Sequence, residues 1–171
     1  GRAFVGTLDG YLVALNAETG EEVWKVDTFV DRDKNYSITS APTIAGDKVI
    51  IGNSGADYGV RGYITAYDVH SGDFRWRFYT VPDKTTAKTA TKPEMQRAAN
   101  TWSTETLWAA GGGGTVWGHM NYDPELNLLY VGVGNASPWP SWHRSPGGGD
   151  NLYLSSILAI NPDDGHLQWH Y

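Results

Sequence analysis

Apolar and alternating runs of strand length, cut by Gly, Asp and Asn, occupy most of the chain. Ala3-Phe4-Val5-Gly6 and Tyr11-Leu12-Val13-Ala14 flank an Asp9-Gly10 pair, a strong short-range hairpin signal. Residues 38–44, 48–52, 63–67 and 74–79 then alternate or run apolar, which predicts four strands in succession. Residues 115–122, 128–132, 154–160 and 167–171 predict four more. Residues 81–113 are Pro-punctuated, rich in Thr and Ala, and without sustained two-residue alternation, so they are expected to be an insertion.

Within this pattern one unit returns three times. Ala14-Leu15-Asn16-Ala17-Glu18-Thr19-Gly20-Glu21-Glu22-Val23-Trp24 is matched by Ala66-Tyr67-Asp68-Val69-His70-Ser71-Gly72-Asp73-Phe74-Arg75-Trp76 and by Ala159-Ile160-Asn161-Pro162-Asp163-Asp164-Gly165-His166-Leu167-Gln168-Trp169. In each, a strand ends in Asn or Asp, whose short side chain can hydrogen-bond the turn backbone. A Gly then supplies a positive φ, and a second strand carries the Trp. A hairpin repeated in this way predicts a propeller or a similar array.

Trp24 and Trp76 are 52 residues apart, near the ~40–50 of a four-stranded blade. Trp76 and Trp169 are 93 apart, which the insertion explains. The expected fold is therefore all-β, a partial β-propeller of about three four-stranded blades. An incomplete blade spans 1–30, a second 36–82, the insertion 81–113, and a third 114–171. The first unit lacks an opening strand, and blades bury their faces only by stacking, so a segment of a longer propeller with two open ends is expected.

Eight Trp, ten Tyr and 21 Gly suit aromatic strands packed blade on blade and joined by Gly turns. A formal charge of −6 without a Lys/Arg cluster argues against nucleic-acid binding. There is no membrane-length apolar run and no visible signal peptide, and the absence of Cys excludes an internal disulfide or a thiolate metal site.

Candidate chemistry is sparse. Gly111-Gly112-Gly113-Gly114-Thr115 has no following Lys-Ser/Thr and leads into a strand, so it is no phosphate-binding loop. It is either a flexible end of the insertion or a place where backbone closely approaches a flat ligand. The five His show no ligand spacing. Asp57, in the Gly-rich turn after residues 48–52, and Asn135, at the corresponding strand end one blade later, are hard oxygen donors of the kind Ca²⁺ takes. They are equally ordinary turn formers. Trp117 is open to the same two readings, as a site residue or as plain blade packing.

Longer motifs carry a family resemblance. Phe4-Val5-Gly6-Thr7-Leu8-Asp9-Gly10, Ile51-Gly52-Asn53-Ser54-Gly55-Ala56 with Gly59-Val60-Arg61-Gly62, Gly114-Thr115-Val116-Trp117, Tyr122-Asp123-Pro124-Glu125-Leu126-Asn127-Leu128-Leu129-Tyr130 and Ser145-Pro146-Gly147-Gly148-Gly149-Asp150-Asn151-Leu152-Tyr153 resemble the pyrroloquinoline quinone (PQQ)-dependent alcohol dehydrogenases. The three Ala-to-Trp repeats resemble that family's tryptophan-docking motifs. The resemblance implies an eight-bladed periplasmic propeller that holds PQQ at its axis beside a Ca²⁺ or lanthanide ion. By the same resemblance Thr39 would bond a quinone carboxylate, and Ser54, Gly55 and Ala56 would line the cofactor. Thr115 would contact the quinone and Trp117 would be the floor beneath its ring. Asn135 would ligate the metal, and so would Asp57, although the family usually has the longer Glu there. Gly118 stands where many members have Asp and some have Gly.

What the resemblance implies chemically is oxidation of a small primary or secondary alcohol, with a cytochrome c or a quinone as electron acceptor. The family's general-base Asp would fall beyond Tyr171, so no catalytic base is expected among these residues, and the segment alone is expected to be inactive. A vicinal Cys pair, an Arg and a further acid would lie upstream. The rival class is a non-enzymatic Trp-docked propeller resembling outer-membrane assembly lipoproteins. Such a scaffold has no reason to keep Thr115, Trp117, Asn135 and the Ser54-Gly55-Ala56 turn together. Membrane-bound sugar dehydrogenases fit less well, because their cofactor motifs differ from Gly114-Thr115-Val116-Trp117.

Overall fold

A computed structural model describes residues 1–85 and 92–171. Strands β1 (Arg2–Gly6), β2 (Tyr11–Asn16) and β3 (Glu22–Asp27) form a three-stranded antiparallel meander. Strands β4 (Thr43–Ala45), β5 (Lys48–Gly52), β6 (Tyr63–Asp68) and β7 (Phe74–Tyr79) form a four-stranded one. The third sheet takes β9 (Met120–Asp123), β10 (Leu128–Gly132), β12 (Ile157–Ile160) and β13 (Leu167–His170). Two short strands, β8 (Gly112–Gly113) and β11 (Ala136–Ser137), pair outside these sheets. The result is three successive blades of a partial propeller.

The middle blade is a filling between two hydrophobic layers, and its sequence shows why. Successive strand residues point to opposite faces. Ile50, Ile64 and Ala66 accordingly meet Leu129, Val131, Leu158 and Ile160 of the third blade. Val49, Ile51 and Tyr67 meet Leu12, Ala14 and Trp24 of the first. Every residue of β5 and β6 is buried, whereas β1 alternates between half-buried and exposed. This explains why 48–52 reads as a continuous apolar run and 2–6 does not.

The three repeats superimpose down to their hydrogen bonds. Ala14, Ala66 and Ala159 face Trp24, Trp76 and Trp169 directly across the ladder, with the register shifting just after each Ala. Only a small side chain leaves room for an indole across the strand pair. Turn glycines 20, 72 and 165 have φ of 75°, 77° and 74°, and each donates its N–H to the carbonyl of Asn16, Asp68 or Asn161. The side-chain Oδ1 of those three residues accepts backbone N–H groups from the turn, at 2.9 Å from Glu18, 2.7 Å from His70 and 2.9 Å from Asp163.

Each indole then reaches the next blade. Trp24 Nε1 donates to Val69 O at 3.4 Å and Trp76 Nε1 to Pro162 O at 2.8 Å; both carbonyls lie three residues before the turn Gly. A Cβ on Gly72 would stand 2.9 Å from Trp24 Cδ2, and one on Gly165 2.6 Å from Trp76 Cε3. The turn glycine is thus required twice, for its φ and for the indole lying on it. Trp169 finds no such turn among the described residues and is 45% exposed. Lys48 adds a polar tie between blades, reaching Asp47 at 2.5 Å and Asp163 of the third-blade turn at 3.4 Å.

Asp68 differs from Asn16 and Asn161 in being charged, and an ion pair with Arg75 and the N–H groups of Ser71 and His70 hold its carboxyl well below the usual carboxylate range. A depressed folded pKa contributes stability that is complete above the unfolded value of about 3.9 and is lost as pH falls through the folded one. Urea midpoints followed from about pH 7 down to about pH 2 should therefore fall less steeply below about pH 4 in Asp68→Asn, which keeps the cap, than in the parent. Parallel acid limbs would show that the pair contributes nothing.

Several expected strands are shorter than the alternation suggested. Residues 38–44 yield a strand only at Thr43–Ala45, and 115–122 only at Met120–Asp123. The insertion also carries structure that the pattern did not show. Helix α1 (Pro93–Ala99) starts at Pro93 and buries Met95 and Ala98, one turn apart, in the larger core. Residues 86–91 of the insertion lie outside the described residues. No helix among the described residues is long and apolar enough to cross a membrane.

Candidate cofactor and metal site

Residues 115–117 are held between the ends of two sheets. A Cβ on Gly52, the last residue of β5, would fall 2.2 Å from Val116 O. Gly134, just past β10, donates its N–H to Thr115 O at 3.0 Å, and a Cβ there would fall 2.9 Å from Trp117 Nε1. Glycine at both places lets two backbones close on the segment. Thr115 and Val116 are buried as a consequence, while Trp117 stays 58% exposed and belongs to neither core. Trp117 therefore presents a fixed indole rather than filling space between blades.

On one side of this segment lies a hydroxyl pair. Ser54 follows β5, and its backbone bridges Ser37 in both directions, at 2.7 and 3.3 Å. That bridge brings the loop carrying Thr39 alongside, so Thr39 Oγ1 and Ser54 Oγ are hydrogen-bonded at 2.6 Å. Thr39 Oγ1 also donates to Trp117 O at 3.4 Å. Gly55 (φ 105°) and Gly59 (φ 79°) bound a 3₁₀ turn, Ala56–Tyr58, with Ala56 buried and Asp57 exposed.

On the other side Asn135 enters β11. Its backbone carbonyl accepts Gly114 N–H at 2.9 Å and its Nδ2 donates to Ala136 O at 3.0 Å. The turn bearing Asp57 packs against both β8 and β11, so Asp57 and Asn135 stand on adjoining backbone. Neither the Asp57 carboxylate nor Asn135 Oδ1 accepts a hydrogen bond among the described residues. Exposed, unpaired oxygen donors on neighbouring turns fit a hard cation such as Ca²⁺. No group of three or more His, Cys, Asp and Glu side chains with metal-binding geometry occurs among the described residues. Since Ca²⁺ takes about 6–8 oxygens, the other ligands would come from a cofactor and from residues beyond this set.

The four-glycine run is hemmed in by protein backbone. Gly111 to Gly114 have φ of 79°, 83°, 78° and 67°. Their close approach is to protein backbone: a Cβ on Gly113 would lie 2.5 Å from Ser137 N, and one on Gly62 would lie 2.0 Å from Gly114 O. Two arginines near the site were also not anticipated. Arg61 pairs with Asp83 at 2.5 Å, stacks over Tyr79 at 3.8 Å and donates to Val81 O at 2.8 Å; burial lowers its pKa. Its carbonyl accepts Asn53 Nδ2 at 3.2 Å, which steadies the turn carrying Asp57. Arg144, the other, is buried and bonded through Nε to Asn151 Oδ1 at 3.0 Å. A lone arginine in a Gly-rich turn carries no sequence signal that it is buried.

Stacked Trp-docked blades, with an exposed indole beside a hydroxyl pair at the strand ends, define a β-propeller with a candidate ligand site. The glucose/ethanol/alcohol dehydrogenase β-propeller domain family, designated PQQ, matches residues 1–171, and the chain belongs to it. It is 59% identical over 170 residues to the quinohemoprotein alcohol dehydrogenase ADH IIB of Pseudomonas putida, covering 99% of this chain and 24% of that protein. The crystal structure of a quinohemoprotein alcohol dehydrogenase from Comamonas testosteroni matches with a TM-score of 0.96 at 53% identity, over 100% of this chain and 26% of that one. A europium-containing methanol dehydrogenase matches with a TM-score of 0.83 at 37% identity, over 100% of this chain and 30% of that one. The chain thus spans about a quarter of the length of the relatives it matches.

Proposed function

We propose that this chain forms the floor and one side of the metal shell of a PQQ-dependent dehydrogenase that oxidises small primary or secondary alcohols. The observation that carries the reading is Trp117, whose indole lies against Gly134 just past β10 yet is left 58% exposed. When bound, the quinone would supply a two-electron oxidant for the alcohol and the metal a Lewis acid that polarises it. The chain's own residues bind and orient. Trp117 offers a flat aromatic platform. The Thr39 and Ser54 hydroxyls and the Gly55 and Ala56 backbone face an anionic edge, Thr115 closes the floor, and Asp57 and Asn135 hold Ca²⁺ or a lanthanide. Asp57 is one methylene shorter than Glu and reaches the ion directly only if its turn sits close. The alcohol's proton goes to a base outside residues 1–171, the electrons go to a cytochrome c or a quinone, and the compartment is the periplasm. The binding-scaffold alternative gives no role to the unbonded Oδ1 of Asn135 or to an indole outside both cores.

Asp57→Ala and Asn135→Ala, each in the full-length enzyme, should weaken Ca²⁺ binding by at least about 10–100-fold in calorimetry, the range seen when even outer-shell partners of a metal are removed. Asp57→Glu should retain or improve binding. Wild-type affinity in both alanine variants would remove the metal from this place.

A further inference from the structure

Arg144 is an interior cation without an acid beside it. It lies in the short helix α2 (Ser141–Arg144) and is 8% exposed. Its Nη1 donates to the carbonyls of Pro138 and Trp139, both at 2.8 Å, and its Nε donates to Asn151 Oδ1 at 3.0 Å. No ion pair to it occurs among the described residues, and burial alone pushes its pKa down. A buried charge of this kind is unfavourable unless fixed acceptors replace water. Three do so here. Asn151 is held in turn, donating from Nδ2 to Thr101 O at 3.1 Å and to Ser145 Oγ at 3.3 Å. The network therefore ties the insertion, at Thr101, to the stretch that follows β11.

Elsewhere that stretch is held by a short ribbon, by the Ala56–Tyr58 turn packed on it and by the Gly114 N–H bonded to Asn135 O. Strand β11 is two residues long and pairs only with Gly112–Gly113, and a ribbon of that size has no independent stability. Asn135 stands immediately before it, with its side-chain amide bonded only to the neighbouring carbonyl. The two carbonyls gripped by Arg144 are three and four residues further on, so the guanidinium is the anchor at the far end of the segment that carries Asn135. Lysine could not reproduce this, since an ammonium is a point charge without the planar fork that meets several acceptors at fixed angles.

We propose that Arg144 is a positioning residue that fixes the backbone from Asn135 to Trp139, so that Asn135 Oδ1 is presented to a hard cation in one direction. The inference rests on the reading of Asn135 as a metal ligand. The test uses the full-length enzyme with Arg144→Met, Arg144→Lys and Asn135→Ala. It measures Ca²⁺ affinity by calorimetry well below the unfolding temperature, together with the thermal midpoint and hydrogen exchange at the amides of Asn135, Ala136, Ser137 and Trp139. Arg144→Met should weaken Ca²⁺ binding about 10–100-fold and speed exchange at those amides, with Arg144→Lys recovering only part of both. If Asn135→Ala leaves Ca²⁺ affinity unchanged, the metal-ligand reading fails, and the positioning role fails with it. If Asn135→Ala weakens binding and the Arg144 variants do not, the positioning role alone is overturned; a lowered thermal midpoint with wild-type Ca²⁺ affinity has the same meaning. Should Arg144→Met fail to fold, the lysine variant decides, because wild-type affinity there shows that charge suffices and the fork is not needed.

Discussion

Replacing Trp76 by Ala should destabilise the full-length enzyme by about 3–5 kcal/mol while leaving quinone affinity in the folded fraction nearly unchanged. The indole is buried between the second and third blades, lies on Gly165 and donates to Pro162 O at 2.8 Å. Truncation leaves a cavity in the larger core and an acceptor without its donor, and neither defect touches the loops that carry Thr39, Ser54 or Trp117. Urea unfolding together with a titration of the folded protein with PQQ separates the two effects. A loss of quinone affinity as large as the loss of stability would show that blade docking and cofactor binding are coupled.

How much of this was legible in the sequence depends on what determines each element. The docking hairpins are local: a cap, a positive-φ glycine and an Ala across from a Trp lie within eleven residues, and all three formed as the spacing indicates. The blade order followed from the repeat. Strand boundaries were overextended at 38–44, 115–122 and 154–160, and the excess in the first two holds Thr39, Thr115 and Trp117. Residues 37 to 40 still alternate between less and more buried, which mimics a strand, although the backbone leaves the sheet to bridge Ser54. At 154–160 the strand begins only at Ile157, because Ser155, at φ 49°, and Ser156 are bonded to Gly134 and Val133 instead. Such departures from regular pairing gather where a fold presents chemistry, which is why local pattern is least informative there.

The parts that could not be read are non-local. The groups that Arg144 bonds lie at most seven residues away, yet its anchoring role depends on Asn151 being held in turn by Thr101, 50 residues earlier in the chain. The four-glycine run depends on Gly62 and Ser137 arriving from two other loops. Helix α1 is too short for periodicity to reveal, and tertiary burial of Met95 and Ala98 holds it in place.

Trp117→Ala should show the opposite balance to Trp76→Ala. The side chain belongs to neither core and is 58% exposed, so the apo enzyme should lose no more than about 0.5 kcal/mol, as is usual for surface substitutions. Stacking of a flat heteroaromatic ring on an aromatic side chain is worth roughly 1–3 kcal/mol, so PQQ affinity should fall about 5–150-fold. Trp117→Phe should recover part of that loss, because the platform is narrower but still flat. Fluorescence titration of the apo enzyme with PQQ, paired with urea unfolding of the same sample, reads both quantities. Unaltered PQQ affinity in the alanine variant would take Trp117 out of the floor, and with it the observation on which the proposed function stands.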